Sequence, residues 1–306
     1  MGGAFVAVAD DATAAYWNPA GLPTGAFLSL LADHTARETR HDASRPDAPG
    51  TDEMGTFVGL STNAIGFSYY RLRINQIERS VPPEASPDSA RQDQWGEATV
   101  RSVVTDNVAL TAAQMLSPGV SVGSTVRYVR GSYGVDSGAT GLTTDEWLRD
   151  ASDLERQGQN KVDLDIGLKL GGARFQAAIV ARNLLQPTLE APDGSSVQMD
   201  SQVRAGGAFR PVGALLLAGD IDLSRAATAN GFRRNLAVGG EYWFGLWLAI
   251  RAGFRVNLED ASSRARPVGA LGFSLALSEG IYVDAQLSRG RDEVEQGWSV
   301  AARFGF

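Results

Sequence analysis

The residues able to do chemistry are few and scattered. Two histidines, His34 and His41, stand seven positions apart. No Ser/Asp arrangement of recognisable spacing accompanies them, and two imidazoles alone do not complete a metal site. A solvated loop is their expected place. Asp10-Asp11 is an acidic pair without further ligands at metal-site spacing. Gly2-Gly3 and the other glycine pairs follow no strand and match no phosphate-binding fingerprint. The chain has no cysteine, which removes disulfides, thiolate zinc sites and thiol nucleophiles. Its 306 residues carry 28 Lys and Arg against 35 Asp and Glu, a formal charge of −7, and this argues against a nucleic-acid partner. The expectation is a protein that is not an enzyme and holds neither metal nor cofactor.

The remaining ionisable groups sort by position. Asp163 and Asp165 precede a segment carrying Arg174 and Arg182, and Arg204 precedes Asp220 and Asp222. Glu241 precedes Arg251 and Arg255, and Asp284 precedes Arg303. Opposite charges on neighbouring strands stabilise each other and make charge tolerable in a narrow interior. These groups are expected to line a self-paired lumen, with a substrate path along them as the alternative.

Segments that hold such groups in register must alternate. Lys161 to Leu170 is strictly polar then apolar, with Val162, Leu164, Ile166, Leu168 and Leu170 on one face. The same period of two runs through Leu246 to Arg255, Ile281 to Ser288 and Trp298 to Phe306. The expected strands begin with Gly25 to Ala32. Hairpins follow at Met54–Leu60 with Ala64–Leu72, Thr99–Met115 with Val120–Arg130, and Lys161–Leu170 with Ala173–Asn183. Three more join Ser201–Phe209 with Ala214–Leu223, Asn235–Trp243 with Leu246–Val256, and Pro267–Leu277 with Ile281–Ser288, before Trp298–Phe306 closes the chain. That makes about fourteen strands, the even number of a single-chain bacterial outer-membrane barrel.

The connections alternate between short turns, such as Gly171-Gly172 and Phe244-Gly245, and long polar loops, such as Gly131–Asn160 and Leu184–Asp200. Short turns on one rim and long loops on the other suit a membrane barrel rather than a soluble sandwich. Thr143–Gln157 reads as a short amphipathic helix, either packed on the rim or serving as a lid. Tyr16, Trp17, Phe244, Trp298, Phe304 and Phe306 are expected in an interfacial girdle, with Tyr242, Trp243, Phe244, Leu246 and Trp247 as its clearest cluster. No run of about 18 apolar residues suggests a transmembrane helix. No basic segment precedes an apolar one, so an exported protein is expected to appear here in mature or truncated form.

The stretch from Gly2 to Leu22 does not alternate. It is small and apolar, and it ends in Asn18-Pro19-Ala20-Gly21, a breaker signature. The expected organisation is a plug over residues 1–23 inside a transmembrane antiparallel β-barrel over 24–306.

This stretch, with AVADDATAAYWNPAGL at its centre, resembles the N-terminal region of the FadL family of outer-membrane transporters for long-chain fatty acids and other hydrophobic compounds. It also resembles the related PorV-like barrels of type IX secretion and a TraF-like group of envelope proteins. The resemblance implies a fourteen-stranded barrel with a hatch in its lumen, located in the bacterial outer membrane. It implies passive uptake: a hydrophobic small molecule is caught outside, enters, and leaves as the hatch moves or through the wall. An apolar pocket lined by Phe5, Val6, Val8, Tyr16 and Trp17 is then expected, with Asn18, Pro19, Ala20 and Gly21 as the gating element. The modest loops depart from the family's larger capture site. The ending at Phe306, after alternating Trp298, Val300, Ala302 and Phe304, resembles the signal read by the barrel-assembly machinery. Outer-membrane lipid is the remaining implied partner. The alternative is a barrel that anchors or shuttles a secreted protein, or a structural envelope barrel without transport.

Overall fold

Alternation in a chain whose apolar residues sit one face at a time closes into a wall. In the computed structural model fourteen strands form one closed antiparallel barrel. The structure describes residues 1–40, 50–79, 98–138, 148, 150–151, 154–228, 231–259, 267–290 and 295–306. The chain begins with a helical turn α1 (Ala14–Trp17) and a 3-10 segment (Pro19–Thr24). The strands that follow are β1 (Leu28–Arg40), β2 (Gly50–Thr62), β3 (Ile65–Arg79), β4 (Ala98–Ser117), β5 (Val120–Gly138), β6 (Gln157–Gly171) and β7 (Phe175–Arg182). After a small hairpin, β8 (Thr188–Glu190) and β9 (Ser196–Gln198), come β10 (Gln202–Val212) and β11 (Leu215–Asp222). A second small hairpin, β12 (Ala226–Thr228) and β13 (Gly231–Arg233), precedes β14 (Asn235–Phe244), β15 (Leu248–Asn257), β16 (Val268–Ser278), β17 (Ile281–Gly290) and β18 (Glu295–Gly305). The seam is β1 against β18, where Leu31 faces Arg303 and Ala32 faces Ala302. No described helix is long and apolar enough to cross a membrane, and the crossing elements are strands.

The register decides which face each residue takes. Phe67, Leu110, Val126, Ile166, Leu217, Phe254, Leu271, Leu287 and Val300 point outward and stay exposed. They form the apolar exterior that a bilayer, not water, would cover. Residues one position along point inward.

The wall is uneven in height. β4 has 20 residues and β5 has 19, while β7 and β11 have 8 each. About 9–11 residues span a bilayer when tilted. The β3–β5 sector therefore rises well past the membrane on the long-loop side.

The expected strands are all present, and most run further than alternation alone indicates. Two corrections follow. His34 is not in a loop: it lies in β1, its Nδ1 3.0 Å from Thr56 Oγ1 and its ring beside Trp298. His41 falls outside the described residues. The connections Leu184–Asp200 and Ser224–Arg234 are not plain loops, since each folds into a two-stranded hairpin. Most of Thr143–Gln157 lies outside the described residues. Leu148 and Ala151 are buried with Ile77, Ala98 and Val100, on the outer face of the tall β3–β4 wall, and Leu154 packs against them. That is a rim contact.

Candidate functional site: the plug and its seat

Residues 1–24 fill the lower lumen. The wall makes room for them with glycine on its inner face. A methyl group at Gly123 would meet the Pro19 and Ala20 backbone 2.5–2.7 Å away. At Gly253 it would meet Met1 and Gly2, and at Gly66 the Leu22 side chain. Gly167 approaches the Asn18 side chain, and Gly206 approaches Val6 and Ala7. Glycine weakens a strand interior. Here each one lets a second backbone approach the wall.

Polar latches fix the plug on that seat. The Phe5 and Val6 N–H groups donate to Asp220 Oδ2 at 2.7 and 2.9 Å. Asn18 is fully buried and caps the 3-10 segment by accepting from the Ala20 N–H at 3.1 Å. Its amide donates to the Val6 carbonyl at 3.1 Å and to the Leu168 carbonyl of β6 at 3.4 Å. Ser121 Oγ donates to the Ala20 carbonyl at 2.6 Å, and Lys169 Nζ donates to Thr24 Oγ1 at 3.0 Å. Ser29 Oγ accepts from the Ala12 N–H at 3.1 Å. Each buried backbone group in these contacts has its partner, as burial requires.

The top of the plug is aromatic. Phe5 stacks on Trp17 at 5.1 Å, and Tyr16 meets Trp17 and Tyr70 edge-on. The Arg182 guanidinium sits 4.9 Å from the Tyr16 ring centre and donates to the Tyr16 carbonyl at 3.2 Å. Above this floor, Arg127 of β5 donates to Asp163, to Asp165 at 3.1 Å, to Asn183 at 2.6 Å and to the Tyr70 hydroxyl. Asp163 is fully buried, and the guanidinium satisfies both carboxylates at once.

A roof closes the long-loop end. The β8–β9 hairpin folds inward and seats Leu189 against Tyr133 and over Gly131. Gln159 accepts from the Glu190 N–H at 3.2 Å and donates to the Glu190 carbonyl at 2.6 Å. Between roof and floor run the ion pairs Arg37–Glu53 at 3.2 Å, Arg37–Glu295 at 3.3 Å, Arg255–Glu295 and Arg204–Asp222.

The inward set is therefore largely as expected, with changes of partner. Arg204 pairs with Asp222, Arg251 with Glu241 and Asp284, and Arg303 with Asp284. Asp163 and Asp165 pair with Arg127 rather than with Arg174 and Arg182, and Arg255 pairs with Glu295 rather than with Glu241. Arg174 is not a lumen charge: it stands exposed in the short turn before β7. Asp220 binds the plug backbone, and Arg182 holds the plug's rings. Arg127 was legible: the period that sends Val126 and Tyr128 outward sends it inward. Tyr16 and Trp17 belong to the plug and not to an interfacial girdle. Trp243 faces inward and donates to Glu241 at 2.9 Å, whereas Tyr242, Phe244 and Trp247 lie on the exposed exterior. Asp11 Oδ1 accepts from Thr13 N–H at 2.9 Å and Oγ1 at 2.5 Å, the role of a turn-forming side chain.

Of the residues expected to line an apolar pocket, Val6 and Val8 turn to the wall, while Phe5, Tyr16 and Trp17 stay partly exposed at the top of the plug. Val6 is fully buried, and Phe5 and Val8 pack with it against Ala178, Val180 and Leu216. A cavity of about 180 Å³ does open beneath the plug, beside Thr24, Ser121, Lys169 and Gln176, and it is of mixed polarity.

The architecture has solved counterparts. The chain superposes on a Pseudomonas aeruginosa FadL homologue with a TM-score of 0.63 at 11% identity, covering 99% of this chain and 96% of that one. It matches the CymD monoaromatic hydrocarbon channel with a TM-score of 0.60 at 14% identity, over 100% and 95% of the two chains. It matches the P. putida toluene transporter TodX with a TM-score of 0.60 at 10% identity, over 97% and 94%. At such identities the likeness is one of fold, the FadL-type barrel. No curated protein sequence matches the chain. Residues 52–222 match the family described as F plasmid transfer operon, TraF, protein, a stretch from early β2 to the end of β11. The chain thus belongs to that TraF family, which here takes the form of a FadL-type barrel of fourteen strands.

Proposed function

We propose that the protein is a bacterial outer-membrane channel for the passive uptake of hydrophobic compounds, gated by displacement of its N-terminal plug. The observation that carries this reading is how the plug is held. It rests on glycine-lined wall through individual hydrogen bonds to Asp220, the Leu168 carbonyl, Ser121 and Arg182, with no covalent tie beyond the chain itself. Such contacts break one at a time at modest cost. The aromatic floor of Phe5, Tyr16 and Trp17 offers an apolar surface to a molecule arriving from the roof side. Solved proteins of this fold include channels for monoaromatic hydrocarbons and toluene, which supports a hydrocarbon-like or fatty-acyl cargo. No step calls for catalysis or a cofactor. Outer-membrane lipid surrounds the wall.

The test is uptake of toluene and of a long-chain fatty acid into liposomes carrying the purified barrel, with Asn18→Ala beside the wild type. Uptake above that of empty liposomes, altered by the substitution, is expected. Equal flux in all three would overturn the reading. The plug seated in the lumen favours a second reading, a barrel that presents its extracellular rim to a secreted protein. That reading predicts no uptake, with a protein partner captured through the long-loop side.

A further inference from the structure

On the outside of β3 to β6, cross-strand partners build successive rows, each two residues further along the strands. Phe67, Leu110, Val126 and Leu164 form an apolar row. Tyr69, Val108, Tyr128 and Val162 form the next, with two phenols in it. Then comes Arg71, Asp106, Arg130 and Asn160, and beyond it Arg73, Val104, Ser132 and Gly158. The change from aliphatic to aromatic to cationic within a few residues is how a wall meets the edge of a bilayer. It occurs at the long-loop end of the strands.

A groove of about 340 Å³ opens at the cationic row, lined by Arg71, Val104, Asp106, Arg130, Ser132 and Arg156. Arg156 returns along the outer face and donates to Ser102 Oγ at 2.8 Å. Among the described residues Asp106 is the one carboxylate in the lining. It accepts from the Tyr69 hydroxyl at 2.7 Å and pairs with Arg71 at 3.4 Å. Arg130 is exposed and has no ion-pair partner among the described residues. Three guanidinium groups thus face one carboxylate, and Arg73 adds a fourth cation alongside. On the far wall the outward residues near that end of β14, β15 and β18 are Leu236, Val256 and Trp298, and β17 presents one exposed cation, Arg289. Several cations gather on the tall sector, against that single one.

The geometry points to a binding site for the phosphate headgroup of an anionic lipid in the leaflet at the long-loop end, with its acyl chains along the apolar rows below. A planar guanidinium matches phosphate oxygens two at a time. The groove lies at the height where such a phosphate sits when the chains lie against Phe67, Leu110 and Val126. The site rests on the membrane placement of the barrel, not on its capacity for uptake.

The test uses the full barrel in a neutral detergent. Bisphosphorylated lipid A, its dephosphorylated counterpart and inorganic phosphate are titrated separately, with binding read by native mass spectrometry and by the shift in thermal unfolding. Bisphosphorylated lipid A is expected to bind at least tenfold more tightly than the dephosphorylated form. Arg71→Gln with Arg130→Gln is expected to erase that difference, and Arg130→Lys to retain most of it. Millimolar inorganic phosphate is expected not to displace the lipid. Equal binding of both lipids would overturn the site, and so would an unchanged preference in the double variant. Inorganic phosphate binding as tightly as the lipid would overturn the lipid assignment. These side chains face away from the lumen, so uptake measured on the same double variant separates the two proposals. A wild type without uptake that still prefers the phosphorylated lipid would sink the channel and support the site.

Discussion

The most exposed point of the gating argument is Asp220. Its Oδ2 accepts both the Phe5 and Val6 N–H groups, and the residue is 3% exposed. Asp220→Ala removes the acceptor and leaves two enclosed donors without partners. A hydrogen bond to a charged group contributes roughly 1.5–3 kcal/mol, and a stranded buried donor costs about 1–3 kcal/mol. Two bonds sharing one oxygen do not add fully, and water entering beside Gly206 would recover part of the loss. A net weakening of plug docking by about 2–4 kcal/mol remains, or roughly 30- to 700-fold in the docking equilibrium at about 1.4 kcal/mol per decade. Hydrogen–deuterium exchange reads this directly. Amide exchange over Ala4 to Ala9 is expected to accelerate by that factor, while the strands of β3–β5 keep wild-type protection. Asp220→Asn keeps a carbonyl acceptor and is expected to fall between the two. Exchange over Ala4 to Ala9 within threefold of wild type, in a barrel that folds normally, would refute the latch.

Gly123→Val should expel the 3-10 segment, because the added carbon meets the Pro19–Ala20 peptide from the wall side. Protease sensitivity of residues 1–24 in the assembled barrel is the readout, and continued resistance would contradict the seat. Leu189→Asp should lift the β8–β9 roof off Tyr133, measured as increased access of a bulky dye to a cysteine introduced at Tyr16. The plug should also respond to acid. Asp10 is pushed up to about 6, first by its desolvated surroundings and then by Asp11, with Lys169 and Arg303 opposing. The residue still touches lumen water, so screening reduces the effect below what enclosure alone would give. A carboxyl raised in the docked state favours docking when protonated. Docking is therefore strongest below about pH 4 and weakens as pH rises towards 6. Asp10→Asn should flatten that profile in the same exchange experiment, and an unchanged profile would reassign the titration.

The barrel was legible because a period of two is hard to hide. Lys161–Leu170 alone assigns five outward and four inward side chains correctly, and the short turns fix the hairpins around it. The plug was legible as the stretch that breaks this period. Ion-pair partners were less so. Sign complementarity suggests pairs but fixes neither register nor contacts across the lumen: Arg251, not Arg255, stands opposite Glu241, and Arg255 reaches Glu295 on β18, three strands away. Asp220 read as one more lumen charge because its true partners are two backbone N–H groups, which carry no sequence identity. The roof hairpin was hidden for a similar reason. Its strands have three residues each, too few for a pattern to emerge. Gly66, Gly123, Gly167, Gly206 and Gly253 carry no pattern of their own, and only the docked plug lying against them explains their place inside the strands.

The β1–β18 seam has a consequence for the order of assembly. Its partners, such as Ser29 and Gly305, lie at opposite ends of the chain, so the loop to be closed is nearly the whole protein. The plug's anchors at Leu168, Arg182 and Asp220 are likewise 150 to 215 residues from the groups they hold. Neither set of contacts forms until most of the wall exists. Contacts this distant in sequence make folding slow and leave strand edges unpaired meanwhile. The N-terminal segment therefore waits without its wall anchors beside a half-built sheet, and a variant that delays the strands carrying Leu168, Arg182 and Asp220 would prolong that state.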